Sequence, residues 1–454
     1  MCRGGDRASW LGLAVGVALS LATALGVATH ILVVGSRSGG WEYVYFDVPD
    51  PRWPVCTAIT VVIASGLALL CRGDGARQRT PIALWLCAAS GLQWLLRTLV
   101  PFSLESMFLS DAANSYYTIT TRLDAATLLA RFLELRPTFD MHAQSNMPGK
   151  FLFLYGLELF TTNPRTLALL TVAVSNAGGV LLYLFVRDLF SDRRVALYAF
   201  ILYLLMPARL FFFPLLNTIT PVLVFLCLWL LERALKTRSI AFATLLGIAT
   251  FALAAFEPMP FVSGMLGAAL VVRAVAIGDL DWKCVARLGL AAGAASIASY
   301  AALYAATGFE WIAAFRDLYA NALGFNAKFA HPYWTWVVAD LWELSFGAGI
   351  CQSALFFTVL WCVLRGPEDR RERLVQPIAA FSIGLLASLV ALDLSGMNRG
   401  EVIRMWIFLG CLAQIPAAFV CARLRHPAAL ALVLATTVLQ AALGMAHIGF
   451  VIPG

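Results

Sequence analysis

Charge is scarce in this chain. Only 13% of its 454 residues are Asp, Glu, Lys or Arg, against about a quarter in an average soluble domain. No stretch is polar enough for a separate soluble domain, and with it goes the basic surface that a nucleic-acid-binding protein needs. Ten cysteines are scattered without a Cys-x-x-Cys pair, mostly inside apolar runs such as those holding Cys87, Cys227, Cys351 and Cys411, and the five histidines lie far apart. Spacing therefore offers nothing to zinc or redox chemistry, and the cysteines read as small packing residues. The alternating pattern of outer-membrane strands is missing, which excludes a β-barrel. There is no fixed-period repeat and no low-complexity tract.

What remains is apolar: 61% of the residues are hydrophobic, arranged in repeated runs of the ~20 residues that cross a bilayer as helix. The fold class is all-α, a polytopic transmembrane protein of about 13 spans. They are read at residues 8–35, 54–72, 81–101, 165–187, 195–213, 217–235, 239–256, 259–278, 284–305, 342–364, 376–393, 401–422 and 427–448. The first run exceeds a signal-peptide core and reads as a retained span. One integral domain covers 1–454, with N-terminal spans in 1–101, a loop in 102–150 and the remaining helical core in 151–454.

The net charge of +7 matters less than where the cations fall. Arg72/Arg77/Arg79, Arg187/Arg193/Arg194, Arg233/Lys236/Arg238, Arg365/Arg370/Arg371/Arg373 and Arg423/Arg425 cluster in short turns, which the positive-inside bias makes cytoplasmic. With the N-terminus cytoplasmic, the polar segments 36–53, 102–147 and 306–340 lie outside, with the turns at 256–260 and 393–401. Residues 149–162 are apolar but short, and the charge pattern has them dip in or lie along the interface without crossing. Asp124–Leu135 and Phe309–Phe325 repeat apolar residues at three- and four-residue steps, as amphipathic helices on a membrane surface do.

The segment from Phe102 to Lys150 is the longest polar interruption and the first place to seek chemistry. Asp111 could take a proton from an attacking hydroxyl, although an isolated loop acid is more often a cap or a solvated residue. His142 could donate to a phosphate oxygen. Pro148, Gly149 and Lys150 open a helix whose free N–H groups suit an anion, with Asn146 in support. The alternative is an ordinary proline-started helix with a snorkelling lysine. In Arg399-Gly400-Glu401-Val402-Ile403-Arg404, Glu401 and Arg404 share a helical face. Arg399 and Arg404 could fork onto a phosphate while Glu401 orients one of them, or the group could be a structural ion pair. Glu257 could meet sugar hydroxyls, and Arg97 and Arg209 are open between snorkelling and phosphate contact.

Three features occur in succession: an acid in the first large outer loop, a surface helix, and a His and Pro-Gly element opening an apolar helix. Asn163-Pro164-Arg165, the run Tyr183–Ala196, Met206-Pro207-Ala208-Arg209 and a polar re-entry at Asn217-Thr218 follow. Over residues 100–235 this resembles the GT-C superfamily of membrane glycosyltransferases, in particular the mannosyl- and aminoarabinosyl-transferases that use lipid-linked sugars. The resemblance implies that Asp111 is the catalytic base and that the stretch His142 to Lys150 lies beside the donor phosphate. It departs in lacking a second acid next to Asp111, a role open to Asp124 or Asp140, and in carrying Asn217 where many relatives have Asp. The expected partners are a polyprenyl-phosphate-linked sugar donor, a lipid or glycan acceptor and membrane lipids, with no nucleic acid. No metal site is assigned and no cofactor is required, a divalent cation being the one addition left open. The competing readings are a transporter or flippase of lipid-linked glycans and a structural membrane subunit.

Overall fold

In the computed structural model, residues 4–70, 79–328, 331–366 and 369–453 are described; Arg72 and Arg77 lie outside them. Among the described residues the structure is almost wholly helical, with strands confined to two short antiparallel pairings. Nine helices among the described residues are long and apolar enough to cross a membrane, which makes this an integral membrane protein. A tenth apolar unit is a bent pair, Tyr333–Ala348 and Ile350–Arg365, and three shorter apolar helices cover Trp53–Leu69, Ile82–Arg97 and Ile240–Phe256.

The 109° bend falls at Gly349, whose φ of +105° few other residues adopt. A break inside an apolar bundle exposes backbone groups that lipid cannot satisfy. Here glutamines satisfy them. Gln440 accepts from Ile350 N–H at 3.1 Å and donates to the Phe346 carbonyl, while Gln414 donates to Ala348 O at 2.8 Å.

One buried apolar cluster runs from Leu13 to Val451 and forms the bundle core. A second sits under the loop segment, where Phe108, Leu128, Phe132, Phe151, Leu154, Phe256 and Phe309 pack together. This corrects the expectation for residues 124–135. Instead of one helix on the membrane, the segment forms Ala125–Ala130 and Phe132–Leu135, broken at Arg131. Its apolar side is taken up by protein: Phe132 meets Phe151 and Phe309 edge-on at 6.5 and 5.6 Å between ring centres. Trp311–Lys328 does keep exposed apolar residues at Ile312, Tyr319 and Leu323.

Gly149–Glu158 has ten residues, about 15 Å of helix, half the thickness of a bilayer core. It cannot cross. Helix Ile240–Phe256 joins the two ends of the bundle, with Arg238 before its first turn and Glu257 as its C-cap. At the Arg238 end, Asp188 draws in Arg187 at 2.9 Å, Arg233 at 3.9 Å and the Trp229 indole at 3.2 Å, so two of the basic turns meet there.

Candidate functional site

The site lies at the Glu257 end. The loop from Leu104 to Glu158 folds into short helices over the second apolar cluster, and two of these turns, Asp111–Asn114 and Met141–Gln144, pack side by side. They are stitched by Ser115 Oγ, which accepts from Ala143 N–H at 3.0 Å, and by the Tyr116 hydroxyl, which donates to His142 O at 3.3 Å. Asp111 is exposed at the start of its turn and accepts from Thr118 Oγ1 at 2.5 Å. Asp124 has its own task as an N-cap, accepting from Thr127 N–H at 2.9 Å, which pulls its carboxyl below the ordinary range. Asp140 is exposed at the N-cap of Met141–Gln144.

Lys150 is fully buried. Its ammonium donates to Asn146 Oδ1 at 2.6 Å, pairs with Glu257 at 3.3 Å, and lies 5.9 and 5.7 Å from the centres of the Tyr116 and Phe256 rings. Burial pushes it below the usual lysine range, and Glu257 opposes that shift. Glu257 accepts in addition from Thr220 Oγ1 at 2.6 Å, and Asn146 donates to His142 O at 2.7 Å. Burial also raises the Tyr116 phenol well above its ordinary value.

These contacts correct the anion site expected at the start of this helix. A Cβ on Gly149 would lie 2.5 Å from the Ala255 carbonyl oxygen and 2.6 Å from the Phe256 Cα. The close approach permitted by this glycine is to the backbone before Glu257, and an acceptor oxygen there repels an anion. Lys150 is a buried pin between the loop and helix Ile240–Phe256. Gly149→Ala is expected to destabilise the protein by about 1–3 kcal/mol, the cost of overpacking, which outweighs a helix-propensity gain of about 1 kcal/mol. Thermal unfolding of the detergent-solubilised protein measures it.

The turn at 396–405 approaches the loop from the far end of the chain. The Arg404 guanidinium lies 3.4 and 3.5 Å from the two ring nitrogens of His142, and it pairs with Glu401 one turn back. A neutral imidazole has a single acceptor nitrogen, so one of these contacts is a long hydrogen bond and the other lies alongside it. Glu401 has φ +56°, a left-handed posture that costs about 1–2 kcal/mol outside glycine. Buried carboxylates hold the backbone on both sides of it. Asp340 accepts from Gly400 N–H at 3.1 Å and Glu343 from Val402 N–H at 2.9 Å. Neither acid is among the residues expected from sequence. Their signal was there, two acids three apart in an apolar helix, which membranes tolerate only where the side chains have work to do.

The other expected cations lie apart from this chain of contacts. Arg399 donates to His331 O at 2.6 Å and Gly396 O at 3.2 Å and sits over the Tyr333 ring, so it ties the turn to the segment 331–333. Arg209 is wholly enclosed in the bundle. It donates to Tyr203 O at 2.7 Å and to Ser175 Oγ and Asn176 Oδ1 at 2.9 Å, and stacks on the Tyr203 ring. Protein acceptors thus occupy both residues where a phosphate contact was expected. Arg97 likewise donates to Phe102 O at 2.8 Å and rests on Met107. Asn217 is half-buried in the turn Leu216–Thr218.

The result is a relay across four parts of the chain: Glu401 and Arg404, then His142, Asn146 and Lys150, then Glu257, and last Thr220, with Asp111 on the turn beside His142. It can present a cation and an imidazole to an anionic ligand and a carboxylate to a hydroxyl. Among the described residues no three His, Cys, Asp or Glu side chains converge as metal ligands do. No family model matches the chain, and no curated protein matches it.

Proposed function

We propose that this protein is an inverting glycosyltransferase of the GT-C type, moving a sugar from a polyprenyl-phosphate carrier to a lipid or glycan acceptor on the outer face of a plasma membrane. The observation that carries this reading is the contact between His142 and Arg404, 262 residues apart. It joins the loop bearing Asp111 to a cationic turn at the same end of the bundle. On this reading the nine long helices, the bent pair and the three shorter apolar helices are all spans. The N-terminus and the Asp188 turns are then cytoplasmic, and the Glu257 end faces out.

The Asp111 carboxylate takes the proton of the acceptor hydroxyl as its oxygen attacks the anomeric carbon from the face opposite the phosphate. The bond from anomeric carbon to phosphate oxygen breaks with inversion, and polyprenyl phosphate leaves with the electron pair. Arg404, with His142 beside it, meets the charge that grows on that phosphate, while Glu401 holds Arg404 in place until the anion arrives. Lys150, Asn146 and Glu257 fix the position of the loop. Arg209, Arg399 and Asn217 belong to the scaffold. The prenyl tail lies among the apolar helices. The chemistry needs no cofactor for these steps, and a divalent cation would act on the phosphate.

The purified protein should release free polyprenyl phosphate from a sugar-loaded carrier when acceptor is present. Loss of charged hydrogen bonds in Arg404→Ala is expected to raise the KM for donor about ten- to hundredfold while the KM for a short soluble acceptor stays put. An equal rise in both would mean that Arg404 only holds the fold. A flippase of lipid-linked glycans is the second reading, favoured by the 109° break at Gly349, because broken helices often build transport sites. Movement of the carrier across a bilayer without cleavage would decide for it.

A further inference from the structure

At the opposite end of helix Ile240–Phe256 lies a feature that the proposed reaction does not use. A cavity of about 520 Å³ is lined by Arg238, Lys283, Arg287, Asp279, Asp281 and Cys284, among others. Among the described residues, none of its three cations pairs with a carboxylate. Asp281 is turned to the backbone, capping helix Trp282–Thr307 by accepting from Cys284 N–H at 2.7 Å, and Arg238 donates to the Asp279 carbonyl oxygen at 2.7 Å. Three cations against two carboxylates leave the lining with a net charge of +1.

That helix is the least covered of the long apolar helices, Leu288 being its one buried residue. Below Lys283 a single stripe descends at seven-residue steps, which is two helical turns. Leu290 is 75% exposed, Ile297 70% and Tyr304 49%. A Cβ on Gly289 or Gly293 would meet no atom, so the surface next to the stripe is a shallow trough. Trp282, between the lining residues Asp281 and Lys283 in sequence, is exposed, as aromatic residues are at the headgroup level.

We infer that this pocket holds the headgroup of an anionic phospholipid whose acyl chains run down the trough of helix Trp282–Thr307. Charge complementarity selects the head, and the continuous exposed stripe below Lys283 selects an occupant with a tail. One leaflet is about 15 Å of hydrocarbon, so chains starting at Lys283 pass Leu290 and end short of Ile297. A free phosphate ion would use the cations and leave the stripe unexplained. A neutral lipid would use the stripe and leave the excess positive charge of the lining unmatched.

The test uses the full-length protein in mild detergent, with lipid binding followed by native mass spectrometry. The probes are phosphatidylglycerol, phosphatidylcholine with the same chains, and inorganic phosphate. Phosphatidylglycerol is expected to be retained over phosphatidylcholine, and millimolar inorganic phosphate is expected to leave it bound. Each cation removed in Arg238→Gln, Lys283→Gln and Arg287→Gln should weaken phosphatidylglycerol binding about fivefold. Lys283→Gln is the deciding variant if the triple substitution fails to fold, because that side chain is exposed and makes no ion pair. Equal retention of the two lipids, binding unchanged in Lys283→Gln, or full displacement by phosphate would each overturn the inference. Glycosyl transfer plays no part in the readout, so failure of the proposed reaction and failure of this site are separate results.

Discussion

Asp111→Asn is expected to cut the release of polyprenyl phosphate by about 10²- to 10⁴-fold, the contribution of a positioned general base. The fold should survive. Asp111 is exposed, and the amide oxygen of asparagine can still accept from Thr118 Oγ1. The amide cannot take the acceptor's proton, so the substitution separates chemistry from architecture. The informative comparison is kcat at saturating donor and acceptor, with thermal unfolding of the same preparation as the control. Full turnover in Asp111→Asn would remove Asp111 as the base, and with it the main reason for placing the acceptor over this turn.

The second large effect concerns stability. Lys150 and Glu257 are both buried, and each compensates the other's charge. Removing one partner leaves a buried charge unmatched, at a cost of about 3–5 kcal/mol. Lys150→Met and Glu257→Gln should therefore each lower the unfolding temperature strongly, and the double variant should lose less than the sum of the two. Additive losses would mean that the two side chains act independently.

The pH dependence has a defined sign. Burial lowers the Lys150 ammonium below the ordinary lysine range. The unfolded chain therefore holds this proton at pH values where the native protein has given it up. Between the native value and the ordinary lysine value, stability rises with pH. Wild type should gain on Lys150→Met as pH climbs through that window, and a constant difference would show that Lys150 does not titrate there.

Much of the architecture was legible as apolar length. Runs such as 165–187 and 427–448 are long enough to cross a bilayer and correspond to helices Pro164–Phe190 and Pro427–His447. The shortness of residues 149–162 also read correctly, because a ten-residue helix has no way to span. The amphipathic pattern at 124–135 read correctly as a buried face and wrongly as to what buries it. Periodicity reports that Leu128 and Phe132 avoid water, and a protein core satisfies that as well as lipid does. Trp311–Lys328 has the same kind of pattern and keeps part of its apolar face exposed.

The candidate residues divide along a similar line. Composition and position singled out Asp111, His142, Lys150, Glu257, Arg399, Glu401 and Arg404 because charge is rare here and these lie at the ends of apolar runs. That rarity is a property of the sequence alone, since a bilayer penalises each charge whatever its neighbours. Pairing is different. That Arg404 meets His142 while Arg399 turns away to His331, that Gly149 admits the backbone at Ala255, and that Asp340 and Glu343 hold Glu401 in a left-handed posture are all decided by tertiary structure. Each depends on contacts of a few ångströms between segments tens to hundreds of residues apart. Hydrophobic patterning constrains which face of a helix is buried and says nothing of which distant backbone or side chain fills the space against it.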